Sequence, residues 1–219
     1  MIALPLGAPD RPLRVLALGA HADDIELGCG ATMLRLVEER PDTELCWAVA
    51  SADGTRADEA RASAAAFTAG LTTPPTVVVG TFRDGYLPYS GGDVKAWVHG
   101  LGDLVTPDVV FTHAPGDLHQ DHRLLAELAL NAFRDQPLLG FEIPKYDGDL
   151  GRPNVFVHAD EARARAKMAL AATHFASQTG KPWFDEATFL GLMRLRGVES
   201  RSPSGYAEAF HTSKLVVSI

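Results

Sequence analysis

Short apolar runs alternate along the chain with stretches of helical periodicity. Arg14–Gly19 (RVLALG) is brief, apolar and closed by Gly19, the pattern of a strand buried on both faces. Leu27–Arg40 follows with apolar residues at Leu27, Met33, Leu34, Leu36 and Val37, and Pro41 ends this predicted helix. Leu45–Ala50 predicts a second strand, and the Ala-rich Thr55–Ala69 a helix with Gly70 as its candidate C-cap. Thr76–Val79, Asp108–Thr112 and Leu138–Ile143 predict three more strands. Between them, Val94–Val105 reads as a helix, and so does Asp121–Phe133, which gathers Leu124, Leu125, Leu128, Ala129 and Ala132 on one face. The C-terminal third is less regular: Ala159–Ala176 and Glu186–Arg196 read as helices and Lys214–Ile219 as an edge strand.

Strands alternating with helices imply βαβ units, and right-handed crossovers then give an α/β fold of three layers around a mostly parallel, doubly wound sheet. No repeat, low-complexity tract or linker divides the sequence, so a single domain over residues 1–219 is expected. This architecture predicts where chemistry should sit. Open α/β sheets bind ligands beyond the carboxyl ends of their strands, at the topological switch point. In the commonest order that point lies between the first and fourth strands, which directs attention to the loops after Gly19 and Thr112.

Those two loops carry dense clusters of histidine and aspartate. The first reads His21-Ala22-Asp23-Asp24-Ile25-Glu26, and the second runs from Thr112 through His113, Asp117, His119 and Asp121 to His122. A nucleotide site fails here. No G-x-G-x-x-G joins Gly19 to the helix, and Asp23, Asp24 and Glu26 would repel a pyrophosphate. Imidazole with carboxylate and no thiolate suits zinc or another first-row divalent metal. A catalytic zinc needs three protein ligands and one open position. His21 and Asp24 can converge from a tight turn and His122 can complete the set, which leaves Asp23 in the place of a general base and His119 near a developing oxyanion. The same residues have plainer uses: carboxylates at a helix start serve as N-caps, and histidines there often sit on the surface. Trp47 and Cys29 read as core, and the roles of His113, Asp117 and His174 stay open.

Composition narrows the partners. The 219 residues are 46% hydrophobic and 22% charged, an ordinary globular balance. A net charge of −8 argues against a general nucleic-acid binder and against a polybasic membrane anchor. The two cysteines, Cys29 and Cys46, form no C-x-x-C pair, which excludes a disulfide framework, a zinc ribbon and a dithiol redox motif. The uncharged window Ala62–Phe82 contains Gly70 and Pro74-Pro75 and so reads as a helix end, a turn and a strand rather than a membrane span. The first residues lack a basic n-region, so no signal peptide is expected and a cytoplasmic location follows by default.

His21-Ala-Asp-Asp-Ile-Glu resembles the first motif of the PIG-L/LmbE-like zinc-dependent de-N-acetylases, A-H-P-D-D-x-E, and Asp117-Leu-His-Gln-Asp-His resembles their D-x-H-x-D-H motif. Weaker likenesses extend over most of the chain: Arg56-Ala-Asp-Glu59, Phe82-Arg-Asp84-Gly, Phe141-Glu142-Ile143-Pro144, Lys167 with His174 and Ser177-Gln178, and Tyr206-Ala-Glu208-Ala-Phe. Ala22 stands where the family usually has proline, which would stiffen the turn but leaves ligand types and spacing unchanged. The resemblance implies a Rossmann-like fold and hydrolysis of N-acetyl groups, mostly from amino sugars. By motif position it implies Zn2+ held by His21, Asp24 and His122, with Fe2+ or another divalent metal as the alternative. It makes Asp23 the general base and His119 the oxyanion donor, and gives Asp121 the task of orienting a histidine. Arg56, Asp84 and Glu142 are candidate substrate contacts, because a guanidinium and carboxylates suit sugar hydroxyls or a phosphate. The expected partner is a small N-acetylated molecule, with no nucleic acid and no membrane anchor; a homo-oligomer is left open. The competing readings are hydrolysis of another N-acyl group or a thiol-conjugate amide, and a metal or carbohydrate binder without catalysis.

Overall fold

Along β1 (Arg14–His21), Val15 and Ala17 point to one face of the sheet and Leu16 and Leu18 to the other, and all four are fully buried. Such an unbroken apolar run is what a strand covered on both faces requires. The computed structural model describes residues 3–8 and 10–216. After β1 come α1 (Asp24–Glu39), β2 (Glu44–Ser51), α2 (Gly54–Phe67), β3 (Thr76–Val79), α3 (Gly91–Leu104), β4 (Val109–His113), α4 (Gln120–Ala132) and β5 (Leu138–Phe141). The C-terminal part adds β6 (Val155–Ala159), α5 (Glu161–His174), α6 (Glu186–Glu199) and β7 (Tyr206–His211).

The sheet order is β3-β2-β1-β4-β5-β7-β6. The first five strands pair in parallel, whereas β7 runs antiparallel to both β5 and β6. The order reverses between β1 and β4, where Val15, Leu16 and Ala17 pair with Val109, Val110 and Phe111. Right-handed crossovers therefore place α1 and α2 on one face and α3 and α4 on the other. Trp47, Phe67, Phe111, Met168 and Phe189 fill the first inter-layer core; Leu18, Val98, Leu101, Leu125 and Phe133 fill the second. The expected mostly parallel, three-layer α/β architecture is the observed one.

Three local expectations are corrected. The sequence reading missed β6 and β7. It placed an edge strand over Lys214–Ile219, but residues 214–216 are irregular and 217–219 lie outside the described residues. Gly70 is not a left-handed C-cap: α2 ends at Phe67 with Thr68 as its C-cap (φ −116°, ψ 12°), and a Cβ on Gly70 would lie 2.8 Å from Val37 Cγ1. The helix after β1 begins at Asp24 rather than Leu27, and it is broken at Cys29 (φ −142°, ψ 20°).

That break is stabilised from two distant elements. Lys167 Nζ donates to the carbonyl of Leu27 (2.7 Å) and to Glu208 Oε1 (2.7 Å). Glu208 accepts from the backbone N–H groups of Ala31 (3.0 Å) and Thr32 (2.6 Å). A cation thus closes the C-terminus of the first short helical piece and an anion opens the second, each on the favourable end of a helix dipole. Flanking glycines let the broken segment pack tightly, for a Cβ on Gly28 would lie 2.3 Å from the ring of Phe141.

Candidate metal centre and active site

The switch point brings the two predicted loops together. His21 ends β1 and His113 ends β4, and the backbone N–H of Ala20 donates across the gap to His113 Nε2 (2.9 Å). His21, Asp23, Asp24, Asp117, Asp121 and His122 are all buried, an unusual concentration of charge that must be paired to be tolerated.

Each of two histidines is oriented by a carboxylate on its far side. His21 Nε2 lies 3.1 Å from Asp121 Oδ2 and 3.1 Å from Asp84 Oδ1, so this nitrogen carries a proton and donates. His122 Nδ1 likewise donates to Asp117 Oδ2 (2.9 Å). The inward nitrogens, His21 Nδ1 and His122 Nε2, are 3.2 Å apart. Asp24 closes the triangle, with Oδ2 3.3 Å from His21 Nδ1 and Oδ1 3.5 Å from His122 Nε2. Four ligands arranged tetrahedrally around zinc at ~2.0–2.1 Å stand about 3.3 Å from one another. The donor set, its spacing and its outer carboxylates therefore fit a divalent metal.

The electrostatics favour one positive charge at this point and resist a second. Burial lowers the proton affinity of both rings. In His21 the charge of Asp24 and hydrogen bonds to Asp121, Asp24 and Asp84 reverse that effect and hold the pKa well above its ordinary value. In His122, burial and the neighbouring His113 push it down to about 4. Among the described residues, three sets of ligand atoms cluster within 4.8 Å in this region: His21 with His119 and His122, Asp24 with His113 and His122, and His21 with Asp84 and Asp121.

Asp23 occupies the N-cap position of α1 but makes no capping hydrogen bond. Its Oδ1 accepts from Arg56 Nη2 (3.1 Å), and its buried Oδ2 has no partner. Burial, reinforced by the charge of Asp24 and opposed by Arg56, raises its pKa. An ionisable oxygen with no structural task beside a cluster able to hold a metal is what a general base requires. His119 is the N-cap of α4, where its Nδ1 accepts from the backbone N–H of Asp121 (3.3 Å). Burial and the proximity of His21 lower its pKa, so it is neutral at pH 7 and keeps its proton on Nε2, free to donate.

The other expected residues divide. Asp121 does orient a histidine, His21, and it also accepts from the N–H groups of Gly85 (2.7 Å) and Leu87 (3.1 Å), which fixes the segment carrying Asp84. Asp84 joins the cluster through His21 while its side chain remains 79% exposed, facing any incoming molecule. Arg56 reaches Asp23 and is itself held by Glu59 (3.3 Å) and Ser177 (3.1 Å). The structure does not bring Glu142 into the cluster. Both its oxygens accept from the guanidinium of Arg196 (2.6 and 2.8 Å), so this buried carboxylate is already paired. Glu26 is corrected too. It is fully buried, neither oxygen has a hydrogen-bond partner, and burial pushes its pKa up to about 8, so it adds no charge to the site at neutral pH. His113 packs beneath the cluster, its ring stacked on His122 with centroids 3.9 Å apart. Sequence reasoning missed Lys145, whose Nζ lies 3.0 Å from Asp117 Oδ1, because a lysine beyond β5 carries no motif signal.

Comparison with known proteins agrees with this geometry. The profile of the PIG-L family, described as GlcNAc-PI de-N-acetylase, matches residues 16–133, just over half the chain. The chain is 27% identical to YaiS, an uncharacterized deacetylase of Escherichia coli, over 77% of this chain and 94% of that protein. Its fold is similar to that of the N,N′-diacetylchitobiose deacetylase of Pyrococcus horikoshii, with a TM-score of 0.70 at 19% identity, covering 91% of this chain and 83% of the other. It is equally similar in fold to GalB, the 4-carboxy-2-hydroxymuconate hydratase of Pseudomonas putida, with a TM-score of 0.72 at 18% identity, covering 94% and 98%. Architecture alone therefore does not select the reaction. Among the described residues, no helix is long and apolar enough to cross a membrane.

Proposed function

The chain belongs to the PIG-L family of de-N-acetylases, and from that premise we propose that it is a zinc-dependent hydrolase removing an N-acetyl group from an amino sugar or an N-acetylglucosamine-type conjugate. Acetate and a free amine are the products. The observation that carries this reading is the pair of carboxylate-oriented histidines whose inward nitrogens lie 3.2 Å apart beside Asp24, with the unpartnered oxygen of Asp23 next to them. His21, Asp24 and His122 would hold the metal. When bound, the ion supplies Lewis acidity, activating water and polarising the acyl oxygen.

The remaining chemistry is assigned to the protein's own groups. Asp23 Oδ2 takes a proton from the attacking water, and the guanidinium of Arg56 on Oδ1 keeps the carboxylate aimed. His119 Nε2–H donates to the oxyanion that develops on the acetamide, a type of contact worth roughly 3 kcal/mol. Protonated Asp23 then returns its proton to the leaving amine. Asp84, exposed at the mouth, accepts from a sugar hydroxyl.

The test is acetate release from a panel of N-acetylated sugars and sugar conjugates, with and without a chelator. Release that the chelator abolishes and zinc restores is the expected result. No release from any member despite bound metal would favour a binder, and release only from other N-acyl amides would move the substrate assignment.

A further inference from the structure

Behind His122 lies a buried row of charges that neither motif contains in full. Asp117 uses both oxygens: Oδ2 accepts from His122 Nδ1 (2.9 Å), and Oδ1 accepts from the backbone N–H of His119 (2.8 Å). Lys145, from the segment after β5, places Nζ 3.0 Å from Asp117 Oδ1 and 2.6 Å from Asp149 Oδ2. Asp149 Oδ2 also accepts from the N–H of Leu118 (2.7 Å). The side chains of Lys145, Asp117 and Asp149 are 10%, 4% and 5% exposed, so one ammonium stands between two desolvated carboxylates. Without it the carboxylates would repel each other across a poorly hydrated gap, and Asp117 could turn away from the histidine.

We propose that Lys145 is a positioning residue of the metal centre. By pinning Asp117 it fixes the ring of His122 and keeps its proton on Nδ1, so that Nε2 remains turned towards His21 and Asp24. A carboxylate that orients a metal-ligating histidine typically contributes 10- to 100-fold in affinity, and an unpinned one forfeits part of that. The proposal rests on the reading of His122 as a ligand.

The experiment measures zinc affinity by chelator competition, the d–d absorption of the cobalt-loaded protein, and the melting temperature of the metal-free protein. Lys145→Met is expected to weaken zinc about 10-fold or more and to alter the cobalt spectrum. Asp149→Asn, which keeps the Lys145–Asp117 contact, is expected to stay within about threefold of the wild type. Lys145→Cys alkylated with 2-bromoethylamine restores an ammonium at nearly the same reach and should recover the affinity; Cys29 and Cys46 are buried, and wild type treated alike is the control. Zinc affinity within twofold of wild type in Lys145→Met overturns the proposal, whatever the melting temperature does. So does an equal loss in Asp149→Asn, which would make the segment's tether the cause. If Lys145→Met does not fold, the alkylated and unalkylated Lys145→Cys proteins decide, and equal affinity in the two overturns the proposal. His122→Ala is measured in parallel. Unchanged metal binding there defeats the ligand reading itself, whereas its loss with no effect at Lys145 defeats this inference alone.

Discussion

Glu26→Gln isolates the energetic consequence of burying a carboxyl without partners. The native pKa of about 8, set by burial, stands above the ordinary value of 4.5. Below pH 4.5 the group is protonated in native and unfolded chains alike and does not affect stability. Between 4.5 and 8 the unfolded chain ionises while the native protein does not, so stability falls as pH rises, by about 1.36 kcal/mol per pH unit. From pH 5 to pH 7 the accumulated loss is about 2.5 kcal/mol, and it levels off above pH 8. Glutamine keeps the shape and cannot ionise. Urea denaturation of both proteins in EDTA, at half-unit steps from pH 5 to 8, should therefore show the variant gaining on the wild type by about 2.5 kcal/mol between pH 5 and 7. A difference between the two proteins that stays constant within about 0.5 kcal/mol over that range would refute the reasoning, because it would mean that Glu26 is ionised in the native state.

Three further outcomes are expected. Asp23→Asn should retain zinc, measured by elemental analysis, while acetate release falls by about 10²–10⁴-fold. His119→Ala should also keep the metal and lose about 10²–10³ in kcat, with little change in KM, if the imidazole acts only on the oxyanion. Glu208→Ala should cost about 3–5 kcal/mol in urea denaturation, since it strands the buried ammonium of Lys167 and two helical N–H groups.

The parts of the fold that could be read from sequence are those marked by continuous apolar runs. The strands β1 to β5 are apolar runs closed by turn residues, and their order located the reactive loops before any side chain was placed. The histidine and aspartate cluster was legible for a related reason: side chains gathered just beyond two strand ends fall in two short stretches of sequence. What escaped was set by tertiary pairing. In β6 the apolar run is only Val155-Phe156-Val157, followed at once by His158, and its pairing is to β7, which is distant in sequence. In β7 a glutamate sits among buried apolar residues because Lys167, 41 positions away, neutralises it. The pairing of Glu142 escaped for the same reason, since nothing in its local sequence reveals Arg196 as its partner. A helix cap was the plainer reading of Asp23, and in the structure its side chain makes no capping bond.

The broken first helix bears on the order in which the protein is made. His21, Asp23, Asp24, Asp84 and the run from Asp117 to His122 all precede residue 133, where the family match ends. Lys145, Lys167 and Glu208, which brace them, come afterwards. At ribosomal rates of about 5–20 residues per second, the proposed ligand set emerges on the order of ten seconds before Glu208 does. During that interval Asp24 sits at the start of a helix whose break has neither its cation nor its anion, while His21 and His122, on β1 and α4, are already made. Metal acquisition should therefore follow completion of synthesis, and a fragment cut at the family boundary would keep the two histidine- and aspartate-rich motifs and lose the braces behind them.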